Sequence, residues 1–121
     1  ANLAGDVWLG KGVVICIGAA VAADATIDDL AIINTNASVD HECRVGIAAH
    51  VCPSAALAGR VEVGQRAMIG IGANVIQCRK IGEDAIVGAG ATVVRDVAAG
   101  ATVIGTPARA IRPEHLRLAS G

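Results

Sequence analysis

Residues 45–69 read VGIAAH-VCPSAA-LAGRVE-VGQRAM-I, a run of hexapeptides that each begin with Val or Leu. The same spacing extends in both directions without a slip, so that every sixth position is Leu, Ile or Val: Leu3, Leu9, Ile15, Val21, Ile27, Ile33, Val39, Val45, Val51, Leu57, Val63, Ile69, Val75, Ile81, Val87 and Val93. Four positions after each, the residue is usually small. A period of six fits neither an α-helix nor a flat amphipathic strand. It predicts a solenoid in which each short repeat is one structural unit.

The period also predicts the shape of that solenoid. A triangular prism with one hexapeptide on each side points one aliphatic residue of every side inward and requires small or permissive residues at its corners. Three hexapeptides then form one coil, and equivalent residues of successive coils stack about 4.8 Å apart. We therefore predict five coils, over residues 3–20, 21–38, 39–56, 57–74 and 75–92, with a sixth that begins in residues 93–105.

The repeat resembles the hexapeptide motif [LIV]-[GAED]-x-x-[STAV]-x of left-handed parallel β-helices, which residues 45–50, 63–68 and 87–92 match. The resemblance implies an all-β domain over residues 1–105, a left-handed parallel β-helix, followed by a C-terminal tail over residues 106–121. Pro113 suits the first position of a helix, so we expect a short helix in this tail. The hand comes from the resemblance alone, because parallel crossovers are ordinarily right-handed.

The composition agrees with a single solenoid domain. The chain has 121 residues, Trp8 is the only aromatic one, and 54% of the residues are hydrophobic. The apolar runs are too short to span a membrane, so we expect the surplus to lie inside the prism and on a second apolar surface between subunits. A net charge of −1 gives no indication of a nucleic-acid or membrane partner.

Features of the termini and the cysteines indicate the compartment. We find no signal peptide and predict a cytoplasmic protein, and the missing initiator Met leads us to expect a fragment or a processed chain. The four cysteines fit no zinc motif. Cys16 and Cys52 lie two coils apart, about 9–10 Å, which is too far for a disulfide. We expect free thiols in a reducing cytosol.

One residue departs from the repeat. Arg79 stands where a small or β-branched residue is expected, and a charge is costly to bury there. We therefore expect the corner at residues 78–80 to bulge and to turn Arg79 outward.

The stretch with the most chemical information is residues 33–43, I-N-T-N-A-S-V-D-H-E-C. It resembles the N-T-x-A-x-V-[DE]-H-[DE]-C segment of one branch of hexapeptide acyltransferases, which contains sialic-acid O-acetyltransferase-like enzymes and bacterial N-acetyltransferases of UDP-4-amino sugars. The match continues through His50, Pro53, residues 58–59 and 69–72, and the tail at residues 103–109. The resemblance implies acetyl transfer from acetyl-CoA, without a metal, to an amine or hydroxyl of a nucleotide-linked amino sugar. It also implies a homotrimer with active sites in the clefts between neighbouring prisms.

The resemblance implies that His41 is the general base, because the pKa of histidine lies near neutral pH. Glu42 would orient its ring and stabilise the imidazolium that forms. Adjacent residues of an extended chain point apart, so we expect Glu42 to reach the ring only at a corner or from a neighbouring subunit. The alternative is that both residues are ordinary solvated surface residues.

The resemblance also implies contacts to the substrates. For the acetyl-CoA co-substrate the predicted residues are His50, Gly59, Ile71, Ala89 and Arg109. His50 would polarise the thioester carbonyl, Gly59 would admit CoA and offer a backbone N–H to the oxyanion, and Arg109 would reach the phosphates. Ala89 departs from a common Gly of the family. Asn34 is either a substrate ligand or a member of a polar ladder.

Two other functions share this fold. Gamma-class carbonic anhydrases hold zinc with three histidines, but His41 and His50 are nine residues apart and His115 lies beyond the prism. A non-catalytic trimeric scaffold is the second alternative. Members of the resembled branch usually carry an N-terminal Rossmann-like domain for the nucleotide sugar, and this chain begins in its first hexapeptide. Either the chain is a fragment or its acceptor is a different molecule.

Overall fold

The computed structural model describes residues 1–111, and this part of the chain consists of short β-strands joined by turns. The strands, in chain order, are β1 (Asn2–Leu3), β2 (Trp8–Leu9), β3 (Val14–Ile15), β4 (Ala20–Val21), β5 (Thr26–Ile27), β6 (Ile32–Ile33), β7 (Ser38–Val39), β8 (Arg44–Val45), β9 (His50–Val51), β10 (Ala56–Leu57), β11 (Glu62–Val63), β12 (Met68–Ile69), β13 (Asn74–Val75), β14 (Lys80–Ile81), β15 (Ile86–Val87), β16 (Thr92–Val93), β17 (Thr102–Ile104) and β18 (Arg109–Ala110). The helix predicted at Pro113 lies outside the described residues.

The strands form the three walls of a prism. Sheet 1 contains β1, β4, β7, β10, β13 and β16; sheet 2 contains β2, β5, β8, β11 and β14; sheet 3 contains β3, β6, β9, β12, β15, β17 and β18. Neighbouring strands of a sheet pair in parallel one coil apart, as Ser38 pairs with Ala56 and Val39 with Leu57, except for β17 and β18. The predicted parallel β-helix with a coil of three hexapeptides is therefore confirmed.

The repeated aliphatic residues fill the interior. From Val21 to Val93 every sixth residue is at most 3% exposed, and most of the small residues four positions later are equally buried. Burying one such aliphatic side chain stabilises the fold by about 1.5–3 kcal/mol. The stack of identical layers therefore replaces the large aromatic side chains that a globular core of this size would use.

The corners depend on one unusual backbone conformation that recurs every six residues. From Leu9 to Val87, the third residue after each inward aliphatic residue has a positive φ, and ten of these residues are not glycine: Asp24, Leu30, Asn36, Glu42, Ala48, Ser54, Arg60, Arg66, Cys78 and Asp84. At Glu42, with φ of 58°, the backbone N–H donates to the carbonyl of Ala23 at 2.9 Å. This turn breaks the strand alternation, so side chains that neighbour each other at a corner can converge.

The last coil is shorter than the others. Val97, which bridges to Ile81 of sheet 2, follows Val93 by four positions, whereas Ile81 follows Val75 by six positions one coil earlier. Beneath this short corner, Arg79 is half-buried and its Nε donates to the carbonyl of Val94 at 3.0 Å. The prediction of a bulge at residues 78–80 was wrong, because the side chain of Arg79 fills the space that the shortened turn leaves.

After Gly105 the chain reverses through a cis peptide bond between Thr106 and Pro107. β18 then pairs antiparallel with β17, with Ile104 opposite Arg109. The first residues of the predicted tail are thus attached to sheet 3. The boundary at residue 105 stays a prediction.

Candidate active site

His41 lies at the corner between sheets 1 and 2, and its half-exposed side chain contacts the next residue. Its Nδ1 is 3.2 Å from Oε1 of Glu42. The positive φ of Glu42 turns its carboxylate back towards the ring, which an extended chain would not do. An ionised carboxylate only accepts hydrogen bonds, so Nδ1 carries the proton in the neutral ring. Nε2 therefore presents a free lone pair, as a general base requires.

The carboxylate of Glu42 is itself held by Arg60, one coil further along the same corner. Both Nε and Nη2 of Arg60 lie 3.4 Å from Glu42 Oε1. The hydrogen bond from Arg60, followed by the one from His41, lowers the pKa of Glu42 below its ordinary value. Glu42 is therefore ionised at neutral pH. Sequence reasoning missed Arg60, although its spacing of 18 residues from Glu42 marks it as the stacked neighbour.

Gly59 lies directly beneath the imidazole of His41. A Cβ atom at residue 59 would be 2.5 Å from Nε2 and 2.7 Å from Cε1 of His41. The absence of a side chain thus allows the ring to lie against the next coil, and Gly59 is buried under it. This is a reason for glycine that the sequence did not show. The predicted contact of Gly59 with CoA stays a prediction.

Asn34 and His50 form a second polar pair. Asn34 Nδ2 is 3.0 Å from His50 Nε2, while Asn34 Oδ1 accepts the backbone N–H of Thr35 at 2.7 Å. Because that N–H can only donate, it fixes which end of the amide is oxygen. Nδ2 therefore donates to Nε2, and the neutral ring of His50 carries its proton on Nδ1. No hydrogen bond of that N–H to another group is found within residues 1–111.

The two histidines lie on different parts of the prism. His41 follows β7 at the corner between sheets 1 and 2, whereas His50 begins β9 in sheet 3, the wall opposite that corner. Ile71 and Ala89 follow β12 and β15, so both lie at the corner between sheets 3 and 1. The predicted residues therefore form two groups, which one chain does not bring together. The corner group is His41, Glu42 and Gly59, and the sheet 3 group is Asn34, His50, Ile71 and Ala89.

Arg109 lies near the short last corner. It lines a hollow of about 160 Å³ together with Val94, Arg95, Pro107 and Ala108. Arg95 and Arg109 are both exposed. Sequence reasoning missed Arg95, although it stands three coils after His41 in the same column of the repeat.

The outer surface of sheet 1 is a groove of about 720 Å³. Small side chains, such as those of Ala20, Ser38 and Ala56, form its floor, and Asn74 and Gln77 lie towards one end. Asp40, next to His41, is the one charged residue in its lining.

The cysteines differ in their burial: Cys43 and Cys52 are buried, and Cys78 is exposed. The thiol of Cys43 donates to the carbonyl of Ala58 at 3.0 Å, and burial raises the pKa of this thiol. All four cysteines are free. Within residues 1–111, no three His, Cys, Asp or Glu side chains are placed to share a metal ion, and no helix there has the length and hydropathy to cross a membrane.

Solved structures of the same architecture match most of the chain. No family model matches the sequence. PerB from Caulobacter crescentus, solved with CoA and GDP-perosamine, is 51% identical, with a TM-score of 0.91 over 92% of this chain and 54% of PerB. The acetyltransferase domain of PglB from Neisseria gonorrhoeae, solved with acetyl coenzyme A, is 35% identical, with a TM-score of 0.90 over 91% of this chain and 54% of that chain. WeeI from Acinetobacter baumannii is 30% identical, with a TM-score of 0.78 over 88% of this chain and 56% of WeeI.

The chain belongs to the hexapeptide-repeat acyltransferases with a left-handed β-helix, as the sequence resemblance implied. It spans about half the length of the solved relatives that it matches.

Proposed function

We propose that the protein is an acetyltransferase that moves an acetyl group from acetyl-CoA to an amino sugar carried on a nucleotide. The observation that carries this proposal is the state of His41, whose Nδ1 is bound by an anchored carboxylate and whose Nε2 is free. The PerB complex with CoA and GDP-perosamine supports the choice of both substrates.

In the proposed reaction, Nε2 of His41 removes a proton from the acceptor while the acceptor attacks the thioester carbon. The new bond to carbon forms, the C–S bond breaks, and the imidazolium returns the proton to the CoA sulfur. Glu42, kept ionised by Arg60, stabilises the imidazolium in between. The Nδ1–H of His50 donates to the thioester oxygen as negative charge develops there. Gly59 retains its predicted role as a second contact of the thioester.

These roles of His41 and His50 require two chains, because the two residues lie on opposite sides of one prism. A complete site forms where the corner group of one chain meets the sheet 3 group of a neighbour. Such a contact joins two different surfaces of the same protein, and it closes into a ring when three copies meet. We therefore propose a homotrimer with three sites between subunits.

The outer surface of sheet 3 has the composition of a subunit interface. Val14, Met68, Ile86 and Ile104 are 50%, 42%, 45% and 48% exposed along it. At the adjoining corner Ile71 is 59% exposed. A continuous apolar surface of this kind is expected to be covered by another protein surface, and His50 lies within it.

The position of the two arginines suggests how CoA lies in the cleft. Arg95 is about three coils from His41 along the same corner, which is roughly 14 Å, a span comparable with the pantetheine arm of CoA. Arg95 and Arg109, which flank one hollow, would bind the phosphates as charge-assisted donors. Ile71 and Ala89 would contact the arm from the neighbouring chain.

Calorimetry with acetyl-CoA tests this function. Saturable binding to the purified chain is expected, with weaker binding by His50→Ala and nearly unchanged binding by His41→Ala. With GDP-perosamine added, thiol release is expected from the wild type and almost none from His41→Ala. A folded protein that binds no acetyl-CoA would contradict the proposal and favour the scaffold alternative.

A further inference from the structure

The short last corner, which carries Arg95, lacks the backbone bond that fixes the earlier corners of the same edge. At those corners the N–H of Arg60 donates to the carbonyl of His41 at 2.9 Å, and Cys78 repeats this bond one coil later. Both donors have a positive φ. In the described part of the chain, no residue from 91 to 99 has a positive φ, and the bond is not repeated at the short corner. The backbone there is therefore held in a different way.

Two residues of the preceding coil supply the replacement. The Nε of Arg79 donates to the carbonyl of Val94 at 3.0 Å, and the backbone N–H of Lys80 donates to Oδ1 of Asp96 at 2.9 Å. Val94 and Asp96 are the neighbours of Arg95 in the chain. The backbone of Arg95 is thus anchored on both sides, while its side chain stays exposed.

The bond from Arg79 follows a geometry that its column of the prism already shows. Cys43 stands two coils earlier in that column, and its thiol donates to the carbonyl of Ala58, fifteen positions later. Val94 likewise lies fifteen positions after Arg79. In each case the carbonyl belongs to the residue directly before a member of the His41 column. A donor at this place in the coil is therefore directed to the backbone of the following corner.

Packing alone does not explain an arginine at residue 79. Val61 holds the place one coil earlier and is fully buried, whereas Arg79 is half-buried and carries a charge with it. An apolar side chain would fill the space beneath the short corner without the cost of desolvating a charge. The hydrogen bond that the guanidinium makes within residues 1–111 is the one to Val94. Its contribution is therefore made at the short corner.

We propose that Arg79 is a positioning residue for acetyl-CoA, because it holds the backbone from which Arg95 reaches the phosphates. This inference rests on the proposed acetyltransferase function, in which Arg95 binds phosphate, and extends it to a residue that touches no substrate. A side chain on an anchored backbone loses less freedom when it binds. Arg79 therefore contributes to the affinity for acetyl-CoA and not to the chemical step at His41, two coils away.

Arg79→Met removes the donor and keeps most of the volume, because the flexible methionine side chain fills irregular space. We expect calorimetry to give a Kd for acetyl-CoA about tenfold above that of the wild type, since a misplaced Arg95 loses a charge-assisted hydrogen bond. With GDP-perosamine as acceptor, kcat at saturating acetyl-CoA should stay within about twofold. With S-acetylpantetheine, which lacks the phosphates, kcat/KM should equal that of the wild type. General damage to the fold would instead affect both acetyl donors alike.

A double-mutant cycle shows whether Arg79 acts through Arg95. Arg95→Ala alone should raise the Kd of acetyl-CoA about tenfold, and adding Arg79→Met should raise it no further. Arg79→Lys keeps a donor and should retain most of the affinity. Arg44→Ala is the matched control for the loss of a positive charge, since Arg44 pairs with Asp28 on sheet 2, and its Kd should be unchanged.

Thermal melts establish which variants are folded, and Arg79→Val replaces Arg79→Met in every measurement if the latter is not. Effects that multiply in the double variant, equal losses with both acetyl donors, or an unchanged Kd in the folded variant of Arg79 would overturn the inference. An unchanged Kd in Arg95→Ala would also overturn it, while leaving acetyl transfer itself in place. A wild type that binds no acetyl-CoA would instead overturn the proposed function.

Discussion

The imidazole of His41 rests on Gly59, so closely that a methyl group at residue 59 would stand 2.5 Å from Nε2. The two residues are one coil apart in the same column of the prism. The glycine thus determines where the proposed base can lie, although it belongs to a different repeat.

Gly59→Ala should displace the ring of His41 while leaving the fold intact. The φ of Gly59 is not positive, so alanine is compatible with the backbone, and the clash involves a movable side chain. We expect thiol release to fall by about 100-fold, because misplacement of a reacting group by about 1 Å has an effect of that size.

Gly5→Ala is the matched control for this change. Gly5 lies in the same column, and a Cβ atom there meets nothing within 4 Å. The melting temperature and activity of Gly5→Ala should equal those of the wild type. Full activity of Gly59→Ala would show that the ring does not need its present position.

Asn34→Asp should reverse the tautomer of His50. A carboxylate can still cap Thr35, as Asp40 caps His41, but it offers no donor to Nε2 of His50. Nε2 should then carry the proton. We expect ¹⁵N NMR to show protonated Nδ1 in the wild type and protonated Nε2 in the variant.

The functional consequence follows from the lost donor at Nδ1. We expect kcat to fall on the order of 100-fold, the effect of removing one oxyanion donor. An unchanged tautomer, or a changed tautomer with unchanged kcat, would contradict the role given to this pair.

Arg60→Ala should raise the pKa of Glu42. Arg60 is the largest cause of the lowered pKa, so the NMR titration midpoint of the Glu42 carboxyl should move up towards its ordinary value of 4.5. A carboxyl with a lowered pKa stabilises the fold above its ordinary pKa, and this contribution disappears as pH falls through the lowered value. The melting temperatures of wild type and variant should therefore differ slightly at neutral pH and converge in acid.

Arg66→Ala provides the comparison, because Arg66 pairs with Asp84 at a different corner. In Arg66→Ala the pKa of Asp84 should rise, while the pKa of Glu42 stays unchanged. An unchanged titration midpoint of Glu42 in Arg60→Ala would contradict the role given to Arg60 in the site.

Ile86→Lys should disrupt the proposed trimer. Ile86 is 45% exposed on the apolar surface of sheet 3, and a buried lysine without a partner is costly. Sedimentation equilibrium should give three chains of 12.0 kDa for the wild type and a smaller mass for the variant. Thr26→Lys, at the equivalent place on sheet 2, should remain trimeric. A wild-type monomer with full activity would contradict the two-chain site.

The sequence predicted the walls of the prism well, because one period decides both which residues are buried and which residues stack. The short corner between Val93 and Val97 was not predicted, although the spacing of six resumes at Val97 and Val103 beyond it. The antiparallel return of β18 depends on tertiary pairing with β17, which a hexapeptide pattern does not encode.

The site was predicted less completely than the fold. The residue types of the segment at residues 40–43 indicated a base, but strand alternation argued against a contact between His41 and Glu42. The positive φ at the corner restores that contact. It is shared by the repeats from Leu9 to Val87, so the corner position of Glu42 could have been predicted. The pairing of Asn34 with His50 joins residues sixteen positions apart. This separation corresponds neither to one repeat nor to one coil, so only the three-dimensional structure shows the contact.

The most direct test of the central claim is to mix two inactive variants, His41→Ala and His50→Ala, under conditions that exchange subunits. Each alone should release almost no thiol from acetyl-CoA with GDP-perosamine. If each site takes His41 from one chain and His50 from its neighbour, random mixing restores about a quarter of the sites, and activity should return to about a quarter of the wild-type rate. Activity that stays at the level of the separate variants, after exchange has been verified, would contradict an active site shared between two chains.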